Sequence, residues 1–297
     1  ISWDMGSSSK QHTEISSAKN RIIRDIDISK DAKWLAAGDD NGKVIIISLS
    51  KKKEKSFKAH NGNVNAVAFK NSGNQFVSAG SDSTLYLWNA ESGDKQFLTK
   101  LSSSIRSICI SPDNKTISAA TEKGEIVNIN LTNYSQSTLY AGSSGMNVVC
   151  YNKNGSLLAF GDKSGNFYIW DVPSGKLVQK VDGHRARIND MQFSNDNKLL
   201  ATASFDGTTK IWQTSNYNLE PIILKDHESW VLSLAFSTSN NELMTACVNS
   251  IIKRWDVKSK MMAEKLVDKI GRDMTPTEWS TFVGKDIPFI KTTEEKP

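Results

Sequence analysis

A chain of 297 residues, 38% of them hydrophobic, can bury a sizeable core as one large all-β domain or as two ordinary domains. Its 37 Lys and Arg against 32 Asp and Glu leave a formal charge of +5, too mild and too dispersed for the clustered basic face of a nucleic-acid binder. No apolar run approaches the ~20 residues that a membrane-spanning helix needs. Cys109, Cys150 and Cys247 lack metal-ligand spacing and lie in apolar, strand-like runs, which reads as buried free thiols of a reducing, cytoplasmic compartment with no metal or cofactor.

Taken in chain order, the sequence opens with ISWDM, which reads as the end of a third strand. Residues 5–20, MGSSSKQHTEISSAKN, then read as a polar, Ser-rich connection. From residue 21 a pattern sets in. Val64 to Phe69 is an apolar alternation, KNSGN at 70–74 a turn, FVSAG a second alternation, and LYLWN a third after another turn. LSKKKEKSF and VPSGKLVQK are placed to supply fourth strands, and the Lys51-Lys52-Lys53-Lys55 run reads as a solvated loop. The ends of the third alternations, Trp3, Ile47, Trp88, Ile129, Trp170, Trp212 and Trp255, are spaced by 44, 41, 41, 41, 42 and 43 residues. A period near 40 built of short strands predicts propeller blades, because one four-stranded blade cannot bury both of its faces and must stack on neighbours. Six complete blades are expected, at roughly 21–61, 62–103, 104–145, 146–186, 187–229 and 230–264.

Two quartets share one spacing. His60, Ser78, Asp82 and Trp88 are separated by 18, 4 and 6 residues, and His184, Thr202, Asp206 and Trp212 repeat those steps. A third, His227, Thr245, Asn249 and Trp255, keeps the spacing with Asn in place of Asp. The corresponding positions elsewhere have decayed: Lys19, Ala37, Asn41 and Ile47; Leu101, Ala119, Lys123 and Ile129; Gly142, Phe160, Ser164 and Trp170. These motifs resemble the WD-repeat family over residues 1 to about 256, and the resemblance implies an all-β propeller of six complete four-stranded blades plus a partial blade, seven if completed upstream. It further implies that the quartets are structural tetrads. In each, the Asp would accept from turn amides and the His, and the hydroxyl would donate toward the Trp-bearing strand. A nucleophile triad of His184, Thr202 and Asp206 is excluded by repetition, since an enzyme needs such a site once.

After Trp255 the repeat stops. MMAEKLVDKI reads as an amphipathic helix ended by Gly271. In MTPTEW, Thr275 is placed as N-cap, Pro276 at the first helical position and Glu278 as the partner of a capping box, with Met274 and Trp279 as a hydrophobic staple and Gly284 closing the helix. Residues 265–297 are thus expected to form a helical tail after a propeller at 21–264. The phrase GRDMTPTEWSTFVGKDIPF resembles the ending of bacterial WD-repeat proteins fused to STAND-type NTPase or caspase-like domains.

The function that follows is a non-enzymatic scaffold or sensor module of a larger bacterial signalling protein. It would bind a protein partner, or its own upstream effector domain, on the propeller's top face. Trp230, three residues after His227, is the expected anchor, joined by Arg185, Arg187, Phe205 and Asn63. The alternative is a hydrolase or lyase with a central-cleft site, for which the sequence supplies few candidates, since every His but His12 occupies a tetrad position.

Overall fold

The computed structural model describes residues 21–257, 275–285 and 287–289, together with the backbone of 2–3 and 12–13. The chain divides into two compact units, Ile1–Val149 and Cys150–Pro297. In the first, Ser2–Trp3 pairs antiparallel with His12–Thr13, so part of the stretch expected as plain connection is a strand. Three four-stranded antiparallel sheets follow, each meandering in sequence order. The first blade is Ile23–Ile28, Trp34–Asp39, Lys43–Ser48 and Lys53–Lys58; the second is Val64–Phe69, Gln75–Gly80, Thr84–Asn89 and Lys95–Lys100; the third is Ile105–Ile110, Thr116–Thr121, Glu125–Asn130 and Gln136–Ala141.

The fourth blade is Met146–Tyr151, Leu157–Asp162, Asn166–Asp171 and Lys176–Asp182; the fifth, in the second unit, is Ile188–Phe193, Leu199–Ser204, Thr209–Gln213 and Ile222–Leu224. The sixth has three strands among the described residues, Val231–Phe236, Glu242–Cys247 and Ile252–Asp256, rather than the expected four; the missing place falls beyond 257, outside the described residues. The same holds for Lys19, for the MMAEKLVDKI segment with Gly271, and for Met274. Of the expected helical tail, one short helix is described, Pro276–Phe282. Its capping box is formed: the Thr275 hydroxyl accepts from Glu278 N–H at 3.2 Å while Glu278 Oε2 accepts from Thr275 N–H at 2.9 Å. Trp279 is buried with Val283 and Ile287.

The turns explain why each meander is so regular. Between strands one and two, Ala32, Gly73, Asn114, Gly155, Asn197 and Asn240 all adopt positive φ. Gly and Asn dominate these positions because they enter the left-handed region at least cost. Five blades also share a register shift inside the first strand, after Ile23, Val64, Ile105, Ile188 and Val231. This bulge re-aims the residue at its centre. In two blades that residue is an Asn reaching the next blade: Asn65 Nδ2 donates to Ile105 O at 2.8 Å and Asn189 Nδ2 to Val231 O at 2.7 Å.

Blades pack through their faces. Ala36, Val44 and Ile46 of the first meet Val64, Val67, Phe69 and Phe76 of the second, and Gly38 approaches so closely that a Cβ there would fall 2.5 Å from Val64 Cγ1. In the second unit, Ala201, Ala203 and Ile211 meet Val231, Leu234 and Leu243. At about 25 cal/mol per Å² of apolar area removed from water, these interleaved faces are the main source of stability.

Candidate functional site

The expected tetrads assemble from four different local elements. His60 and His184 sit in the loops entering the second and fifth blades, Ser78 and Thr202 in second strands, Asp82 and Asp206 in the following turns, and Trp88 and Trp212 near the ends of third strands. In the second blade, His60 Nε2 meets Ser78 Oγ at 2.8 Å and Nδ1 meets Asp82 Oδ1 at 3.0 Å, while Trp88 Nε1 donates to Ser78 Oγ at 2.9 Å. The fifth repeats this with His184 Nε2 to Thr202 Oγ1 at 2.7 Å, Nδ1 to Asp206 Oδ2 at 2.9 Å, and Trp212 Nε1 to Thr202 Oγ1 at 3.0 Å. One detail reverses the sequence reading. The indole N–H can only donate, so the Trp gives its proton to the hydroxyl rather than receiving one.

That polarity settles the tautomer. The hydroxyl, accepting from Trp, donates its single proton to His Nε2, and the neutral imidazole donates from Nδ1 to the carboxylate. Burial holds both histidines below their ordinary pKa despite the neighbouring Asp. Burial would raise the Asp82 carboxyl, but hydrogen bonds from Asn61 N–H, the Thr84 hydroxyl, His60 and Thr84 N–H bring it below the usual range; Asp206 is likewise lowered by His184 and Thr208 together with Arg185 N–H. Such an arrangement holds a proton in place, with the Ser78 and Thr202 hydroxyls buried and already engaged.

The sixth blade completes only half of the set. His227 Nε2 meets Thr245 Oγ1 at 2.9 Å and Trp255 Nε1 donates to the same oxygen at 2.9 Å, yet Asn249 is exposed and His227 Nδ1 is buried without a hydrogen-bond partner. In the decayed blades other contacts hold the place. Phe160 stacks on Tyr168 at 5.2 Å, and Asp162 accepts from Ser164 N–H, Asn166 N–H and the Tyr168 hydroxyl. Ser118 Oγ donates to Asn128 at 2.6 Å in the third blade, while Ala37 and Ile47 belong to an apolar cluster in the first.

Four of the five expected contact residues gather at the ends of the fifth and sixth blades. Trp230, 52% exposed, stacks on Phe205 with ring centroids 4.6 Å apart and planes 14° from parallel. Arg187 covers the Phe205 ring, 3.9 Å from its centroid, and Arg187 Nε donates to Asn189 Oδ1. Arg185 projects an exposed side chain while its N–H donates to Asp206. Asn63 lies in the first unit and is engaged there: its N–H donates to Ser81 Oγ at 2.9 Å, and with the amide nitrogen assigned to the side of Asp40 O the side chain can donate there as well.

Sequence reasoning missed two features. Val248, whose N–H donates to Trp230 O, and Leu232 add exposed apolar surface beside Trp230. Side chains on first strands also bond the backbone of the next blade: Asp25 to Val67 N–H and Asp27 to Phe69 N–H at 2.8 and 2.7 Å, Asp190 to Leu234 N–H at 2.8 Å, and Gln192 to Phe236 N–H at 2.7 Å. Their signal was a polar residue within an apolar strand, repeated two residues apart. Burial raises the Asp190 carboxyl to about 6 against the bonds from Leu234, Ser233 and Met191. Cys247 is buried, whereas Cys109 and Cys150 are only half-buried, so the expected thiol burial is partial. No group of three or more His, Cys, Asp or Glu converges as metal ligands among the described residues, and no described helix is long and apolar enough to cross a membrane.

Comparison with known proteins places this geometry. The WD domain, G-beta repeat (WD40) family matches residues 9–48, 51–89, 175–213 and 220–256, together about half of the chain. Jouberin of Rattus norvegicus is 30% identical over 137 residues, 45% of this chain and 13% of Jouberin. Apoptotic protease-activating factor 1 of Danio rerio is 26% identical over 231 residues, 73% of this chain and 17% of that protein. Target of rapamycin complex subunit LST8 of Mus musculus is 27% identical over 168 residues, 53% of this chain and 52% of LST8. The matched segment covers less than two thirds of each of these relatives, all of them eukaryotic.

Proposed function

Because the chain belongs to the WD40 repeat family, we propose that it is a non-enzymatic interaction module whose partner is a protein, received where the fifth and sixth blades end in the Trp230–Phe205 stack. The observation that carries this reading is a half-exposed Trp held flat on Phe205, which is itself backed by Arg187. Aromatic and Arg side chains already fixed in place lose little entropy on binding, which is what a hot spot requires. The three described histidines support the non-enzymatic reading, since each ring bonds a Ser or Thr hydroxyl within its blade.

Two finer parts belong to the same proposal. Ile23, Ile26 and Ile28 are 42%, 57% and 49% exposed, whereas their counterparts Val64, Val67 and Phe69 are buried under the first blade. That difference supports a further blade covering the first. The C-terminal phrase supports a larger bacterial signalling protein, in which the module would restrain its own effector or bind an activator with unequal affinity for the two states. A P-loop motif or a Cys/His protease dyad encoded upstream would bear on this directly.

The central experiment is affinity capture with the full-length protein and its Trp230→Ala variant, with retained chains quantified by mass spectrometry. Partners held by the parent and lost by the variant are expected. An identical set from both would overturn the assignment of the surface.

A further inference from the structure

The sixth blade departs from the second and fifth at one defined place. In those two blades a carboxylate is closed in by the same donors. Asp82 accepts from His60 Nδ1 at 3.0 Å, Asn61 N–H at 2.8 Å, and Thr84 N–H and Oγ at 3.1 and 2.7 Å. Asp206 accepts from His184 Nδ1 at 2.9 Å, Arg185 N–H at 3.1 Å, and Thr208 N–H and Oγ at 2.9 and 2.6 Å. In the sixth blade the backbone of this arrangement persists. Ser250 has φ 62° where Ser83 has 68° and Gly207 has 79°, and Ser250 N–H donates to Cys247 O at 3.1 Å as Gly207 N–H does to Ser204 O at 3.3 Å.

The acceptor does not persist. Asn249 is exposed, and Ile251 stands where Thr84 and Thr208 stood. The Trp255-to-Thr245-to-His227 order leaves the ring proton on Nδ1, and no acceptor meets it with full hydrogen-bond geometry; the Leu224 and Gly207 backbones offset only part of the burial that lowers the His227 pKa. Neither the Glu228 nor the Ile251 N–H has an acceptor among the described residues. Of these donors only the His227 ring nitrogen is buried, and an unpaired buried donor is rare and costs about 1–3 kcal/mol; the N–H groups of exposed Glu228 and Ile251 are open to a ligand.

We propose that the sixth blade is a receptor for a carboxylate carried by a protein segment, with His227 Nδ1 and the Glu228 and Ile251 N–H groups as its donors and Trp230 and Val248 as its apolar border. Two of these donors are neutral backbone groups at a position that holds a carboxylate twice elsewhere in the chain. Lys253 faces His227, and Asp226, paired with Lys253 at 3.5 Å, and Glu228 are the acidic neighbours. The border selects a peptide acid over a small free one, because Trp230 and Val248 leave apolar surface for the flanking residue. This assignment of the carrier rests on the proposed partner surface; the donor set does not.

Four histidines make the test direct. With ¹⁵N-histidine labelling, ring resonances are followed while sodium acetate, the peptide Ac-Leu-Asp-Leu-NH2 or Ac-Leu-Asn-Leu-NH2 is added at constant ionic strength. The His227 ring is expected to shift saturably with the Asp peptide, at lower concentration than with acetate and not with the Asn peptide, while His60 and His184 stay still. Asn249→Asp should supply the carboxylate from the chain itself, move His227 toward the His184 position and abolish the response; Asn249→Ala should keep it. No saturable response, or one that survives in Asn249→Asp, overturns the receptor, and equal affinity for acetate overturns the protein segment as its ligand. If His227 is silent while Trp230-dependent capture persists, the receptor alone falls and the interaction surface stands.

Discussion

Replacing Asp206 with Ala removes one acceptor from four donors: His184 Nδ1, Arg185 N–H, Thr208 N–H and the Thr208 hydroxyl. The hydroxyl can rotate, and the N–H of exposed Arg185 reaches water, so those bonds are exchanged at small cost. The His184 side chain is fully buried and cannot do the same. Leaving that donor unpaired costs about 1–3 kcal/mol, and the lost charge-assisted bonds bring the total to about 2–4 kcal/mol. At roughly 3 °C per kcal/mol for a domain of this size, the melting temperature should fall by about 9 °C. Differential scanning calorimetry of the parent, Asp206→Ala and Asn249→Ala provides an internal control, because position 249 occupies the same place in the repeat but makes no such bonds. Asn249→Ala should move the transition by less than about 0.5 kcal/mol, the range of a surface substitution. Equal shifts at 206 and 249, or none at 206, would refute the argument that the bonding and not the repeat position carries the energy.

Other expectations follow from the same contacts. Asn249→Asp should raise stability by about 1 kcal/mol in urea unfolding by giving His227 Nδ1 its acceptor. Trp230→Ala gives up one stacked pair and should cost about 1 kcal/mol, within the 0.5–1.5 kcal/mol such pairs contribute, while circular dichroism stays unchanged. Asp190, raised in the folded protein from 3.8 to about 6, binds more protons folded than unfolded between those values. Its contribution therefore favours folding at low pH and is lost as pH rises through about 6. Asp190→Asn removes that slope, so the stability advantage of the parent over the variant should shrink between about pH 4 and about pH 6 in urea titrations. His60 and His184, lowered by burial, act in the opposite sense, with stability declining as pH falls below 6.5, and Asp206→Ala should steepen that decline because the carboxylate that offsets the burial of His184 is gone.

What could be read without coordinates was local or periodic. Alternation of apolar residues is enough to define the strands of the second and fifth blades, Gly and Asn mark turns that need positive φ, and Thr275-Pro276-Thr277-Glu278 specifies a capping box within four residues. The spacing of the quartets in the second and fifth blades also anticipated which side chains would meet, because strand pairing in a meander fixes who faces whom a few residues away. Tertiary structure decided the rest. The direction of the Trp88 and Trp212 bonds required knowing that the hydroxyl lies at the indole nitrogen. Asp25, Asp190 and Gln192 bond backbone 42 to 44 residues along the chain, partners that no local pattern identifies because they depend on how one sheet stacks on the next. The stacking of Phe205 on Trp230 and the outward turn of Asn249 are of the same kind: each is decided where two blade ends meet, by contacts between residues that the chain itself keeps far apart.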